Sequence, residues 1–317
     1  MLKLLAWTLT AFLAATSAMA QDFPQKRPVK IVVPFSVGGL TDLLARITAE
    51  FLQKRLGQAV IVENKPGAAG AIAADYVAKS PADGYTLMMS AADLAVLPAV
   101  RANLPYKLED FTYLTRFWTT GTMIVVGPKS QFSTLAELIA YMKANPGKVV
   151  YGTAGVGSLN HLGTLKFEGA VGVKGLHVPY PGAQPVYGAL QEGSLDFYTG
   201  ASLPFPDSLK VLAPAGSRRH PAYPNLPTLE ELGFKGASYD AWFGIIAPGN
   251  LPKPVADRIN AELRAVYQDP EAIARFRKAT QEVPDPNLLV GDSFRNRVLQ
   301  ERKTWKEIAD REKVVLE

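Results

Sequence analysis

Cysteine is absent from all 317 residues, which excludes disulfides, thiolate metal sites and a lipid anchor on cysteine. Histidine is scarce, with three copies (His161, His177 and His220) and no H-E-x-x-H spacing, so the familiar zinc arrangement is missing. No G-x-S-x-G elbow marks a serine hydrolase. No Gly-Lys-Ser/Thr follows a glycine loop, and no third glycine completes a G-x-G-x-x-G. After residue 20 no apolar run reaches the roughly 20 residues that a membrane span takes. The 34 basic residues are interspersed with 29 acidic ones. The net charge of +5 therefore speaks for solubility and a mild preference for anionic ligands, not for a nucleic-acid stripe.

What is present begins with "MLKLLAWTLTAFLAATSAMA". A basic Lys3, an apolar run and Ala18-Met19-Ala20 make a secretory signal peptide, residues 1–20, removed on export. The remaining chain is long enough for two domains of about 150 residues.

Val29 to Pro34 reads as a buried parallel strand, followed by a helix with Leu40, Leu44, Ile47 and Phe51 on one face that stops at Gly57. "AVIVEN", the turn "KPGAAG", the helix "AIAADYVAKS" and the strand "TLMMS" follow. Two strand–helix–strand units in succession imply a parallel sheet covered on both faces. "TYLTRFWTTGTMIVVGP" is too long for an ordinary strand of about 5–6 residues, and is expected to leave one lobe and enter another. Thr134 and Glu137 then form a capping box. The rhythm restarts with "KVVYG", "SLNHLGTLKFEGA", "GLHVPY", "GAQPVYGALQEG", "SLDFYTG" and a short strand over 209–213. A second capping box lies at Thr228 and Glu231, and "YDAWFGIIAPG" is the expected return crossing. Terminal helices carry Val255, Ile259, Leu263 and Val266 on one face, then Phe294, Val298, Trp305 and Ile308 on another. Two α/β lobes joined by two crossings leave a cleft, the usual place for a ligand.

Two stretches fit one physical description: "PFSVGGLTD", residues 34–42, and "YGTAGVGSLNH", residues 151–161. In each a strand ends, glycines permit close backbone approach, and Thr41 or Ser158 begins a helix. Helix N-termini carry unpaired N–H groups and about half a positive charge, which favours a carboxylate or phosphate. Gly38, Gly39, Gly155 and Gly157 are expected to leave those N–H groups open. Neither loop contains Lys or Arg, so backbone dipoles and hydroxyls would meet the bound charge, as suits a ligand that must be released.

Ser158, His161 and Asp196 are the one combination with triad chemistry, but Ser158 and His161 sit three apart on one helix, where Ser158 is more simply a cap. Asp196 has two readings, a contact to a ligand ammonium or a cap on a neighbouring loop. Tyr180 walls the cleft or packs.

Taken together, "PVKIVVPFSVGGLTDLLAR", "GQAVIVENKPGAAGAIAADYVAKSPADGYTL", "YGTAGVGSLNHL", "HVPYPGAQPVYGALQEGSLD", "NLPTLEELG" and "WFGIIAPGNLPKPVADRINAEL" resemble the periplasmic solute receptors of tripartite tricarboxylate transporters, the Bug-type receptors. The resemblance implies an α/β protein with the type II periplasmic-binding-protein fold, its two lobes joined by two crossover strands around an interlobe cleft. It implies a small organic carboxylate as ligand, an integral-membrane permease as partner, a periplasmic location, no enzymatic activity and no cofactor; a monomer is expected. The site residues it implies are Phe35, Ser36, Gly38, Gly39, Thr41 and Asp42 on one side, with Thr153, Ala154, Gly155, Gly157, Ser158 and His161 opposite. Ser90, Tyr180 and Asp196 complete the candidate set. The expected lobes are residues 21–122 with 240–317, and 123–239. A signalling partner in place of the permease would use the same cleft.

The chain departs from that family pattern at Ser36-Val37, where relatives have a proline-rich turn, and at Pro181, where a basic residue is common. Leu97-Pro98 replaces an Asn-Pro, and the segment after Asp196 is short. With Trp118, Tyr198 and Phe205 in segments near the cleft, the loss of the basic residue tilts the expected ligand toward an aromatic or monocarboxylic acid.

Overall fold

The computed structural model of the chain describes residues 23–201, 205–312 and 314; the expected leader lies outside them. Apolar runs buried on both faces build the centre of the first lobe. Strand β1 (Val29–Val33) leads into helix α1 (Leu40–Leu56), then β2 (Val60–Asn64), helix α2 (Ala71–Ala78) and β3 (Thr86–Ala91). β1 pairs in parallel with both β2 and β3, with Ile31 opposite Val62 and Leu87. Ile31 and Val33 have no exposed surface, and each such side chain contributes on the order of 2 kcal/mol through burial. A short helix, α3 (Asp93–Val100), follows β3 directly. No periodicity in the sequence announces it.

The long β-rich stretch divides as expected. β4 (Phe111–Gly121) belongs to the first sheet and β5 (Met123–Val126) to the second, with Thr122 between them. The second lobe continues through α4 (Leu135–Ala144), capped reciprocally by Thr134 and Glu137, β6 (Val150–Thr153), α5 (Leu159–Val171), β7 (Leu176–Pro179), α6 (Ala183–Glu192), β8 (Phe197–Gly200) and β9 (Lys210–Pro214). The Thr228–Glu231 box also forms its two hydrogen bonds, but it closes a turn, since Gly233 ends the segment in left-handed backbone before a helix can grow.

β10 (Asp240–Pro248) returns the chain to the first sheet. It inserts antiparallel between β3 and β4, so that sheet is mixed and not all parallel, with β11 (Leu289–Val290) at its edge and the order β11-β4-β10-β3-β1-β2. The second sheet is β7-β6-β8-β5-β9. The two crossings are tied together: Thr122 Oγ1 donates to the Tyr239 carbonyl at 2.8 Å, and Ala215 N–H donates to the Thr122 carbonyl at 2.7 Å. Helices α7 (Lys253–Gln268) and α8 (Pro270–Thr280), the short β11 (Leu289–Val290) and α9 (Asp292–Arg311) complete the chain. The face Phe294, Val298, Trp305 and Ile308 of α9 is buried, and α9 packs on α3 and also touches α5. The carboxyl ends of β1, β3 and β6 all point into the gap between the sheets, where open α/β folds place their ligands.

Candidate functional site

The first loop is braced from behind by Asp42. Its carboxylate accepts from the Gly38 amide, from Arg46 Nε and Nη2, and from Asn64 Nδ2, all at 2.9 Å. Burial pushes this acid up, but the bonds from Arg46, Gly38 and Asn64 outweigh it and hold Asp42 below the ordinary carboxylate range. Asn64 also donates to the Phe35 carbonyl at 3.0 Å. With the turn fixed and Gly38 at φ +87°, α1 starts from Gly39, and no side chain caps it. Its first-turn amides therefore carry the open, positive end of a helix of seventeen residues.

The second loop satisfies itself. Thr153 Oγ1 lies 2.6 Å from His177 Nε2 and 3.2 Å from the Gly155 carbonyl oxygen. The Gly155 amide donates to Thr153 Oγ1, the Gly157 amide donates to His161 Nδ1 at 3.2 Å, and Ser158 Oγ caps the His161 amide at 3.3 Å. The His161 ring stacks on His177, centroids 4.0 Å apart. Both rings stay neutral: burial, then the neighbouring His177, drives His161 down to about 3, and burial drives His177 to about 4. The first amide of α5, at Leu159, donates 2.8 Å across the cleft to Asp93 Oδ1 on α3.

The lobes touch along a rim. Gln184 Nε2 on α6 donates to the Gly38 carbonyl. Gly182 lies so close to Ser36 that an added Cβ would collide with Ser36 Oγ, and Gly155 approaches Ala69 so that a Cβ there would sit 3.3 Å from the Ala69 amide nitrogen. Inside that rim is a cavity of about 50 Å³. The first lobe lines it with Phe35, Gly39, Leu40, Thr41, Ala91, Ala92 and Asp93, and with Ala241 and Phe243 of the return strand. From the second lobe come Ala154, Leu159, Asn160, Ala183, Tyr198 and Ala201. Asp93 is the single charged side chain among these, and none is cationic.

Of the residues expected from sequence, Phe35, Gly39, Thr41 and Ala154 reach the cavity wall, while Ser36, Gly38 and Gly155 make the rim. The others lie behind it. Asp42, Thr153, Gly157, Ser158 and His161 brace the two loops, so the amides of Gly38, Gly155 and Gly157, expected to be open, are used within their own lobes. Ser90 is wholly buried and donates to the Gly244 carbonyl at 3.0 Å, pinning β3 to β10. Asp196 accepts from the Val150 amide at 2.7 Å, and the Tyr180 amide donates to the Thr153 carbonyl. Ser158, His161 and Asp196 thus form no relay. Of the three aromatic residues placed near the cleft, Tyr198 lines it, whereas Trp118 is sealed in the core and Phe205 packs on Tyr187. Asp93 is missing from the expected set, although an acidic residue just past the carboxyl end of a sheet strand carried a signal.

The family model described as "Tripartite tricarboxylate transporter family receptor" matches residues 44–308. The chain is similar to the protein BugT of Bordetella pertussis, 32% identical over 299 residues that cover 92% of this chain and 90% of that one. Among solved structures it is similar to R. palustris Rpa4515 with adipate, at a TM-score of 0.86 and 29% identity, covering 93% and 99% of the two chains. It is also similar to MatC of Rhodopseudomonas palustris with bound malate, at a TM-score of 0.81 and 28% identity, covering 90% and 99%. With a cleft between two α/β lobes, an uncapped helix N-terminus opening into it and a family match along most of its length, the chain belongs to the receptors of the tripartite tricarboxylate transporter family.

Proposed function

We propose that the chain is a periplasmic receptor, not an enzyme, that captures a small organic carboxylate between its lobes and delivers it to the membrane permease of a tripartite tricarboxylate transporter. One observation carries the reading: the N-terminus of α1 has no side-chain cap and opens, through Gly39, Leu40 and Thr41, into a cavity that both lobes line. A carboxylate seated there gains the helix-end amides without a fixed cation, and is bound without being trapped. The adipate and malate complexes of the two R. palustris relatives support the ligand class. The leader-like first twenty residues support export.

Closure follows from the same geometry. The ligand touches both lobes only in the closed form, which is the differential affinity needed to shift the equilibrium. The crossings at 122–123 and 239–240 support a hinge there, with lobes of 21–122 plus 240–317 and of 123–239, working as a monomer. Isothermal titration against a panel of mono-, di- and tricarboxylates, paired with small-angle scattering, tests capture. A bound acid with no compaction overturns the hinge. Deleting the gene and following uptake of the bound acid tests delivery, and unchanged uptake overturns it.

A further inference from the structure

Among the described residues that line the cavity one is charged, and it is negative. Asp93 opens helix α3 at the cavity wall, and its Oδ1 takes the Leu159 amide from the opposite lobe at 2.8 Å. Among the described residues no cationic group and no side-chain donor meets this carboxylate. Burial pushes the acid up to about 6, against the pull of the backbone N–H groups. Tyr106 and Tyr239, the titratable groups nearby, are themselves kept protonated by burial. A part-buried carboxylate with no cation beside it carries a desolvation cost that an incoming cation would offset.

The helix ends at the cavity wall therefore differ. Those of α1 and α6 have no side-chain cap; that of α5 already holds an anion, the side chain of Asp93. A ligand carboxylate has the uncapped ends to occupy, and any carboxylate brought against Asp93 would meet a like charge in a site shielded from water, where repulsion is strong.

We infer that Asp93 is a specificity-determining residue that reads an ammonium group on the ligand. The cavity then takes a compact zwitterion, its carboxylate at the N-terminus of α1 and its ammonium against Asp93. This rests on the receptor reading above and narrows it from small carboxylates to amino acids and their close analogues. The chemistry also sets a rule of exclusion: removing the ammonium from a ligand leaves Asp93 unpaired, which costs far more than one lost contact.

Isothermal titration of the purified protein with matched probes tests this. The pairs are L-alanine with propionate, L-aspartate with succinate, and L-phenylalanine with 3-phenylpropionate; methylammonium is added alone. At least one amino acid is expected to bind tenfold or more tightly than its twin without the amine. Asp93→Asn, which keeps an acceptor for the Leu159 amide, is expected to bring that ratio close to one. Should the variant not fold, the ratio in the unmodified protein decides by itself. Twins that bind as well as the amino acids overturn the role of Asp93 and leave carboxylate capture standing. Methylammonium binding with every acid silent, and lost in Asp93→Asn, supports Asp93 and overturns carboxylate capture. Silence from all seven probes overturns both.

Discussion

Gln184 Nε2 donates to the Gly38 carbonyl oxygen at 2.7 Å, joining residues 146 positions apart across the mouth of the cleft. The bond is exposed, so its net worth is about 1 kcal/mol. It exists only while the lobes touch. Gln184→Ala is therefore expected to weaken the tightest-binding acid of the panel about two- to fivefold and to shift the scattering envelope toward the open form. Its melting temperature should stay within a degree or two. Unchanged affinity would show that this rim contact does not contribute to closure.

Gly155 has less freedom. Its φ of +125° is one that side chains rarely adopt, and a Cβ there would press on the backbone of Ala69 in the other lobe. Gly155→Asp adds strain, bulk and a second carboxylate at the rim of a cavity that Asp93 already lines. At least tenfold weaker binding is expected by titration, with the fold intact by circular dichroism. Gly188→Ala is the control: this glycine lies within α6 with nothing inside 4 Å of an added Cβ. It should gain about 0.5–1 kcal/mol of stability and bind normally.

How much of this was legible in the sequence follows from how local each signal was. The uncapped start of α1 and the Ser158 cap of α5 sit within a few residues of the glycines that announce them. The two crossings were visible as β-runs too long for one strand. Helix α3 was not visible: it is eight residues, buried almost all round and interrupted by Pro98, so it offers neither amphipathic period nor clean composition. The antiparallel insertion of β10 between β3 and β4 is a pairing across more than a hundred residues, which no local pattern encodes. The resemblance implied Asp42 as a ligand contact; its partners, Arg46 one turn on and Asn64 at the end of β2, hold its carboxylate behind the loop. Asp93 and Leu159 are 66 positions apart, and their meeting depends on how the two lobes face each other.

A second cluster fixes the strands β4 and β10 to the C-terminal helix. Glu301 on α9 pairs with buried Arg116 of β4 at 3.3 Å, accepts from Arg297 Nε at 2.7 Å, and accepts from the Trp242 indole N–H of β10. Glu301→Ala removes the carboxylate partner of the buried Arg116 guanidinium, which keeps Thr119 Oγ1 as an acceptor, and takes the acceptor from the Trp242 indole. Denaturant unfolding should report a loss of about 3–5 kcal/mol, while Glu301→Gln, which keeps an acceptor, should lose less than half of that. Equal losses in the two variants would mean that packing, not charge, holds the strands.

The acid limb of stability carries opposing slopes. Burial pushes the Glu168 carboxyl on α5 up to about 7, against the Gly175 amide that donates to it at 2.7 Å and the nearby Lys174, with Glu312 adding to the rise. The folded chain thus keeps a proton that the unfolded chain releases near 4.5. The stability from Glu168 is full below about 4.5 and is lost as pH rises through about 7. His161 and His177 run the other way. Their folded values of about 3 and about 4 lie below the ordinary 6.5, so their contribution is full above that value and is lost as pH falls. Asp93, pushed up to about 6 by burial, adds a second falling slope, so between about pH 4.5 and 6.5 two carboxyls offset two histidines and the unmodified protein should show a shallow profile. Glu168→Gln keeps an acceptor for Gly175 and removes only its own falling slope. Measured by urea unfolding, its stability relative to the unmodified protein should therefore rise between about pH 4.5 and 7.5. The rise should reach ~3 kcal/mol, because each tenfold change in proton affinity is worth about 1.4 kcal/mol. A difference that stays flat across that range would mean that Glu168 ionises in the folded chain as it does in water.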